Sequence, residues 1–444
     1  MRPSMADGAP LFPDELRHAR KSYEVHMEAH MFFRKTIPDP YSLDSSFLKE
    51  LDRELLAFIN KGLDNDDEEE FSRLALKEFE LQFHTIPPYR DYCRSKGITP
   101  KEAKQWRDIP SVPSKAFKNF ALATFPVERA EHAYFTSGTT DSRKKGKIYR
   151  DGGAVELINA ANGLLTRHYV FPDCERMKIL LMTPSPKMAP GIGMAVGLER
   201  VRTEFGTPDS VYLISFSGLD LELLLYSLLE AEKTGTPLAL IGSTPGFIYF
   251  FKACEQHRIS FRLPPGSRVC DGGGYMGQFG ECSKEEYFEM CKTLLGIEEH
   301  YCINVLGMGE ISTNFFDNVL SDHREQKRSA PRHKIIPPWT KTEVVDVDTY
   351  QKLPEGEIGL LKHYDLANRS MVVAVQTDNL GFATKDGFEI VGRWKKRPGT
   401  LEAEEIRGSH GGKVMTQMVD LILKRNLKKI GKIHGKLSQR IASR

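Results

Sequence analysis

Apolar positions recur at three- and four-residue spacing in SLDSSFLKELDRELLAFIN, residues 42–60, and predict a helix. The acidic run from Asp64 to Glu70 breaks the pattern, and residues 71–83 resume it. The first hundred residues therefore read as mostly helical, after a loose arm over residues 1–20. The segment DIPSVPSKAFKNFALATFP, residues 108–126, carries prolines too closely spaced for a helix interior. It predicts an extended entry into the core. From there the period alternates. Helices are predicted over 153–169, 219–234 and 247–257. Short apolar strands are predicted over 178–183, 211–216, 237–242 and 301–306, with another ending at Val269 and Cys270. Ser283 with Glu286 three residues on forms a capping box for a helix reaching Leu295. Alternating strands and helices predict an α/β core with a largely parallel sheet.

The character changes at about residue 335. Short strands over 341–347, 357–361, 371–376 and 388–391 are separated by turns such as Pro354-Glu355-Gly356. They predict a small antiparallel β unit, expected as a distorted barrel. The tail changes again: residues 407–444 hold ten Lys/Arg against one acid, Asp420. A helix is predicted over 413–429. A solvated basic helix explains the tail, with a nucleic-acid or membrane patch as the alternative.

Composition narrows the field. A length of 444 residues suggests about two to three domains. The net charge of +2 removes any global attraction to nucleic acid or to an acidic surface. Cys93, Cys174, Cys254, Cys270, Cys282, Cys291 and Cys302 form no CxxC pair and no metal-ligand spacing, as in a reducing cytosol. The first residues lack the apolar stretch of a signal peptide. No apolar run approaches the roughly 20 residues needed to span a bilayer. A cytoplasmic protein without a membrane span is expected, with nucleic acid not expected as a partner.

Candidate chemistry collects in four stretches. YFTSGTTDSRKKGK, residues 134–147, places Thr136, Ser137, Gly138, Thr139 and Thr140 before four basic residues, Lys144 among them. Backbone N–H groups, hydroxyls and cations of this kind can cradle phosphate oxygens; a solvated hairpin tip fits the same composition. The other three are read at strand ends, where open α/β sheets place ligands. Gly272, Gly273 and Gly274 after Asp271 let a flat ligand lie on bare backbone, with Tyr275 to stack on it; a tight turn is the plain alternative. Gly307 and Met308 lead to Glu310, a carboxylate able to hold Mg²⁺ or to sit on the surface. Asp378 in Gln376-Thr377-Asp378-Asn379 can accept from two ribose hydroxyls. Arg393, ending GFEIVGR, suits a hinge or a phosphate contact.

The order and spacing of YFTSGTT, DGGG, LGMGE, QTD and GFEIVGR resemble the adenylate-forming superfamily. DIPSVPSKAFK, TPSPKMAPGIGMA, IGSTPGF, DGGGY and GMGEISTNFFDN are similar in particular to the acyl-protein synthetases of luminous bacteria, the LuxE type. The resemblance covers residues 80–393. It implies the adenylate-forming α/β fold, with a helical region over 1–100, an adenylation core over 101–335, a small β subdomain over 336–392, and a hinge with a short basic tail over 393–444. It implies ATP and Mg²⁺, with a carboxylic acid, most simply a fatty acid, activated as acyl-adenylate and passed to a thiol on a partner protein, a carrier or CoA. Thr136 to Thr140 and Lys144 would hold phosphates, and Gly272 to Tyr275 the adenine, with Gly307 and Met308 beside it. Glu310 would take the metal, Asp378 the ribose and Arg393 the hinge, with Thr139, Lys144, Glu310 and Arg393 as the catalytic set. The alternatives are an aryl- or acyl-CoA ligase of the phenylacetate type and a non-catalytic scaffold for a reductase.

The chain departs from the superfamily pattern in places. Asp141 and Arg143 stand where the phosphate loop has glycine and proline. Leu306 and Gly309 stand where the metal motif has tyrosine and threonine. No cysteine follows Cys302, whereas the luminous-bacteria enzymes carry an acceptor cysteine near the C-terminus. The usual lid domain looks truncated; Gly435-Lys436 with Arg440 resembles its lysine motif, but too close behind Arg393 to serve the same way.

Overall fold

The computed structural model describes residues 39–135, 146–275, 282–327, 331–394 and 427–443. Helix Ser46–Asn60 is capped by the Ser45 hydroxyl and buries Leu48, Leu51, Leu55 and Phe58, as its period requires. Asp67 caps helix Glu68–Thr85, and its acidic first turn faces the positive end of the helix dipole. A helix not foreseen, Pro87–Ser95, starts on two prolines, which suit a first turn because its N–H groups need no helical partner.

Seven strands form the central sheet. Their order is Phe315–Phe316, Cys302–Leu306, Arg268–Gly272, Leu238–Ser243, Lys178–Pro184, Val211–Ser215 and Gly218–Leu219. The five inner strands run parallel, and the two-residue strands at the edges pair antiparallel. The chain moves outward one way from Lys178–Pro184, then returns to build on its other side from Leu238–Ser243. The order thus reverses between these two strands, a switch point where α/β sheets open a crevice. TPSPKMAPGIGMA leaves one of them and TPGF leaves the other, so both segments stand at that crevice. The capping box of helix Lys284–Leu295 forms as predicted, and Gly296 closes it in the left-handed conformation.

The second sheet is antiparallel, in the order Lys334–Ile335, Gly387–Arg393, Ala374–Thr384, Gly359–Asp365 and Thr340–Val345. Its ends stay open among the described residues, so it is a sheet rather than the distorted barrel expected. Val112–Pro113 joins it from far away in sequence, pairing parallel with Ala374–Thr384 through Val112 and Val375. The extended entry predicted for this segment is therefore a strand contact, followed by a tight 3₁₀ turn at Ser114–Lys118.

The helix predicted over 413–429 lies almost wholly outside the described residues. Helix Ile430–Ala442 follows it and docks on the central domain through Leu427, Ile430 and Leu437. Lys233 Nζ donates to the Ile441 carbonyl at 3.0 Å, and His434 meets the Phe261 ring edge-on. Lys233 lies near the end of helix Leu221–Thr234, where the chain turns to enter strand Leu238–Ser243. The tail helix thus docks at the edge where strands begin, and Lys436 is exposed there, away from the loops at strand ends. Among the described residues, no helix is long and apolar enough to cross a membrane.

Candidate active site

Thr136, Ser137, Gly138, Thr139, Thr140 and Lys144 lie outside the described residues. Their flanks are strands His132–Phe135 and Lys147–Arg150, paired antiparallel with Phe135 opposite Lys147. Phe135 N–H donates to the Gly191 carbonyl at 3.0 Å, which ties this hairpin to the segment after strand Lys178–Pro184. Arg150, at the hairpin's far end, is buried. It donates to Asn368 Oδ1 at 3.0 Å, Ser370 Oγ at 3.1 Å and the Gly309 carbonyl at 3.3 Å. Burial lowers its pKa to about 10. One guanidinium thus joins the base of the hairpin to the residue before Glu310.

The segment after strand Cys302–Leu306 is held from below. Asp365 accepts from the backbone N–H groups of Ser312 and Thr313, both at 2.8 Å, and from the Thr313 hydroxyl and Ala367 N–H, both at 2.9 Å. Asn368 Nδ2 donates to the Glu310 carbonyl at 3.0 Å, while its Oδ1 also accepts from Ser312. A Cβ at Gly307 would stand 2.5 Å from Asn314 Oδ1, so a larger residue there must displace the Asn314 side chain. Met308 packs half-buried against the main core.

Asp378 and Arg393 lie on paired strands, and the charges of both act on Glu310. Burial, then the Asp378 charge, raises the Glu310 pKa, while Arg393 and Lys118 act to lower it. Asp378, expected in a loop at a strand end, lies inside strand Ala374–Thr384. Polar Gln376-Thr377-Asp378-Asn379 reads as a loop locally. It is a strand because Gly359–Asp365 and Gly387–Arg393 pair on either side, and because Gln376 and Thr377 donate to the Leu361 carbonyl. Arg393 ends its strand opposite Asn379, and Trp394 N–H donates to the Asp378 carbonyl at 2.8 Å. Lys118 was not singled out from sequence, although SKAFK was part of the quoted motif. Arg150 also escaped notice, since nothing local marks which arginine will be buried.

Gly272, Gly273 and Gly274 leave the neighbouring strand Arg268–Gly272, and Gly273 has φ +122°, a conformation side chains resist. Tyr275 is half-buried, with its ring 5.1 Å from Tyr287 and 6.1 Å from Phe288. Beneath the loop lies a polar layer that sequence reading missed. Asp271 Oδ2 accepts from the Thr244 hydroxyl and from Asn304 Nδ2. Burial pushes the Asp271 carboxyl up to about 6. Lys334 and Arg332 meet Asp317 at 2.7 and 2.6 Å. Although burial opposes it, these two cations hold Asp317 below the usual carboxylate range.

In chemical terms, the site offers oxygen ligands, one carboxylate strained by burial and a second carboxylate, and a flanking cation. A hard divalent cation held at Glu310 would relieve that repulsion, and Mg²⁺ needs few protein ligands. The residues present fit such an ion.

A family model described as acyl-protein synthetase, LuxE, matches residues 51–411. The long-chain-fatty-acid–luciferin-component ligase of Vibrio harveyi is 24% identical over 336 residues, covering 74% of this chain and 81% of its own. That of Aliivibrio fischeri is 22% identical over 314 residues, 70% of this chain and 78% of its own. Among solved structures, 2-hydroxyisobutyryl-CoA ligase in its postadenylation state, with 2-HIB-AMP, superposes with a TM-score of 0.51. The match covers 80% of this chain and 69% of that one at 15% identity, which bears on the fold alone.

Proposed function

The chain belongs to the LuxE family of acyl-protein synthetases, ATP-dependent acid–thiol ligases, and on that premise we propose that it activates a long-chain fatty acid for a thiol outside its 444 residues. The reading is carried by Glu310 just after strand Cys302–Leu306, with Asp378 and Arg393 on two paired strands and their charges acting on it. A carboxylate oxygen of the acid attacks the α-phosphorus of ATP, and pyrophosphate leaves with the electron pair of the broken P–O bond. The acid is already ionised, so no general base is needed. In the second half, a thiolate attacks the acyl carbon and AMP departs.

Catalysis on this reading is positioning plus neutralisation of charge. Thr136 to Thr140 and Lys144 would hold the phosphates, with Thr139 and Lys144 neutralising charge that develops on them. Gly272 to Gly274 and Tyr275, with Gly307 and Met308, receive the adenine. Asp378 accepts from the ribose hydroxyls, and Arg393 contributes positive charge beside them. Mg²⁺ held by Glu310 would supply Lewis-acid stabilisation of the phosphates.

The cysteines support an external acceptor. Six of the seven are buried, and burial raises thiol pKa values such as that of Cys270. Half-buried Cys174 lies between helix Gly152–Tyr169 and the start of strand Lys178–Pro184, at the edge opposite the candidate site. The long-chain acid rests on the names of the two Vibrio-type relatives.

The test is acid-dependent exchange of labelled pyrophosphate into ATP. Wild type should exchange with long-chain acids, and Glu310→Ala should reduce the rate by about 100-fold or more. Exchange with no acid rejects the reading. Thioester formation on CoA alone at the adenylation rate assigns CoA as the acceptor in place of a protein.

A further inference from the structure

The polar layer under the glycine loop contains one contact set that a simple ion pair does not need. Lys334 belongs to the antiparallel sheet, on strand Lys334–Ile335, and its side chain is buried. Its ammonium crosses to the other sheet. There it donates to Asp317 Oδ1 at 2.7 Å, to the Asn304 carbonyl at 2.7 Å and to Asn304 Oδ1 at 2.8 Å. All three donors are used. An ammonium has only donors, so it fixes which end of the Asn304 amide faces it. The amide nitrogen must then point the other way, and it donates to Asp271 Oδ2 at 2.9 Å and to the Gly273 carbonyl at 3.3 Å.

The glycine loop needs such an anchor. Three glycines have no side chains to pack, and each gives up more conformational freedom on folding than any other residue type. Besides its strand pairing at Gly272, the Asn304 amide is the side-chain contact that reaches the Gly273 backbone. Lys334 and Arg332 both meet Asp317, and Arg332 also pairs with Glu299 at 3.2 Å. Nothing in the reaction proposed above uses Lys334 directly.

We infer that Lys334 is a positioning residue for the nucleotide: acting through the Asn304 side chain, it sets the glycine loop and thereby the affinity and base selectivity for ATP. This rests on the assignment of that loop to adenine. Loss of the ammonium lets the amide rotate, and the Gly273 carbonyl loses its donor.

The experiment compares wild type, Lys334→Met, Asn304→Leu and the double variant by pyrophosphate exchange and by direct ATP binding, with thermal unfolding as a control. Lys334→Met should raise the KM for ATP by about 10–100-fold, the range seen when orienting groups behind a ligand are removed. The KM for the acid should stay within about twofold, and the preference for ATP over GTP should fall. The double variant should bind ATP no more weakly than Asn304→Leu alone, since both act through one amide. Should Lys334→Met not fold, Asn304→Leu, which keeps the Lys334–Asp317 pair, must show the same selective rise. Equal rises in both KM values, or additive losses in the double variant, overturn the inference. Wild type that neither exchanges nor binds ATP overturns the adenylation reading and this inference together. Wild type that binds ATP, with unchanged affinity in both single variants, overturns this inference alone.

Discussion

The floor under Glu310 and the floor under the glycine loop are built differently. Under Glu310, Asp365 takes four donors, Arg150 reaches three acceptors and Asn368 serves on both its amide ends. Under the glycine loop, Asp271 has only neutral donors on one oxygen, and its Oδ1 has no partner among the described residues. Asp317, equally buried and joined to Asp271 through Asn304 and Lys334, has two cations in contact. The difference teaches that burial alone does not decide ionisation. Asp317, touched by two cations, stays low, while Asp271, given only hydroxyl and amide donors, rises. The first floor is a closed scaffold, and the second keeps an unused acceptor beside the loop proposed to hold a ligand.

Breaking the closed floor should have the largest effect. Asp365→Ala strands four buried donors at once, and a loss of about 3–5 kcal/mol is expected in urea unfolding. A loss below about 1 kcal/mol would mean that the segment after Glu310 is held by packing instead.

Asp271 comes next. Its folded pKa, about 6, stands above the unfolded carboxyl value because the buried charge is unfavourable. Such a group favours the fold while protonated, and stability is lost as pH rises from about 4 through about 6. Two units correspond to about 3 kcal/mol. Asp271→Asn removes the titration. Relative to it, wild type should lose about 2–3 kcal/mol of unfolding free energy between about pH 4 and about pH 7. A difference between the two proteins that does not move with pH would erase the contrast with Asp317.

The smallest expected effect is at Gly273. Ala at φ +122° costs about 1–2 kcal/mol of backbone strain. Its Cβ would sit 3.5 Å from Thr244 Oγ1, ordinary contact, so the fold should survive. Thermal unfolding measures the strain, and ATP binding measures whether the loop conformation matters to the nucleotide.

Local pattern settled a good deal. Period and caps specified helices such as Ser46–Asn60 and Lys284–Leu295, because a helix closes its hydrogen bonds within four residues and its caps within three. Continuous apolar runs such as Lys178–Pro184 specified buried parallel strands, because both faces of such a sheet are covered. The resemblance of motif order named Glu310, Asp378 and Arg393 as one candidate set, and in the structure the charges of the latter two act on Glu310. Tertiary structure alone decided the rest. Polar Gln376-Thr377-Asp378-Asn379 became strand only because partners from residues 359–365 and 387–393 pair on both sides. Arg150, Asn304 and Lys334 joined the site because segments up to 220 residues apart were brought within hydrogen-bonding distance, and the charge of Lys118 reaches Glu310 from a distant segment as well. A charged side chain carries no local sign that it will be buried. Its partner is chosen by how the two sheets pack, and that packing is a property of the whole chain.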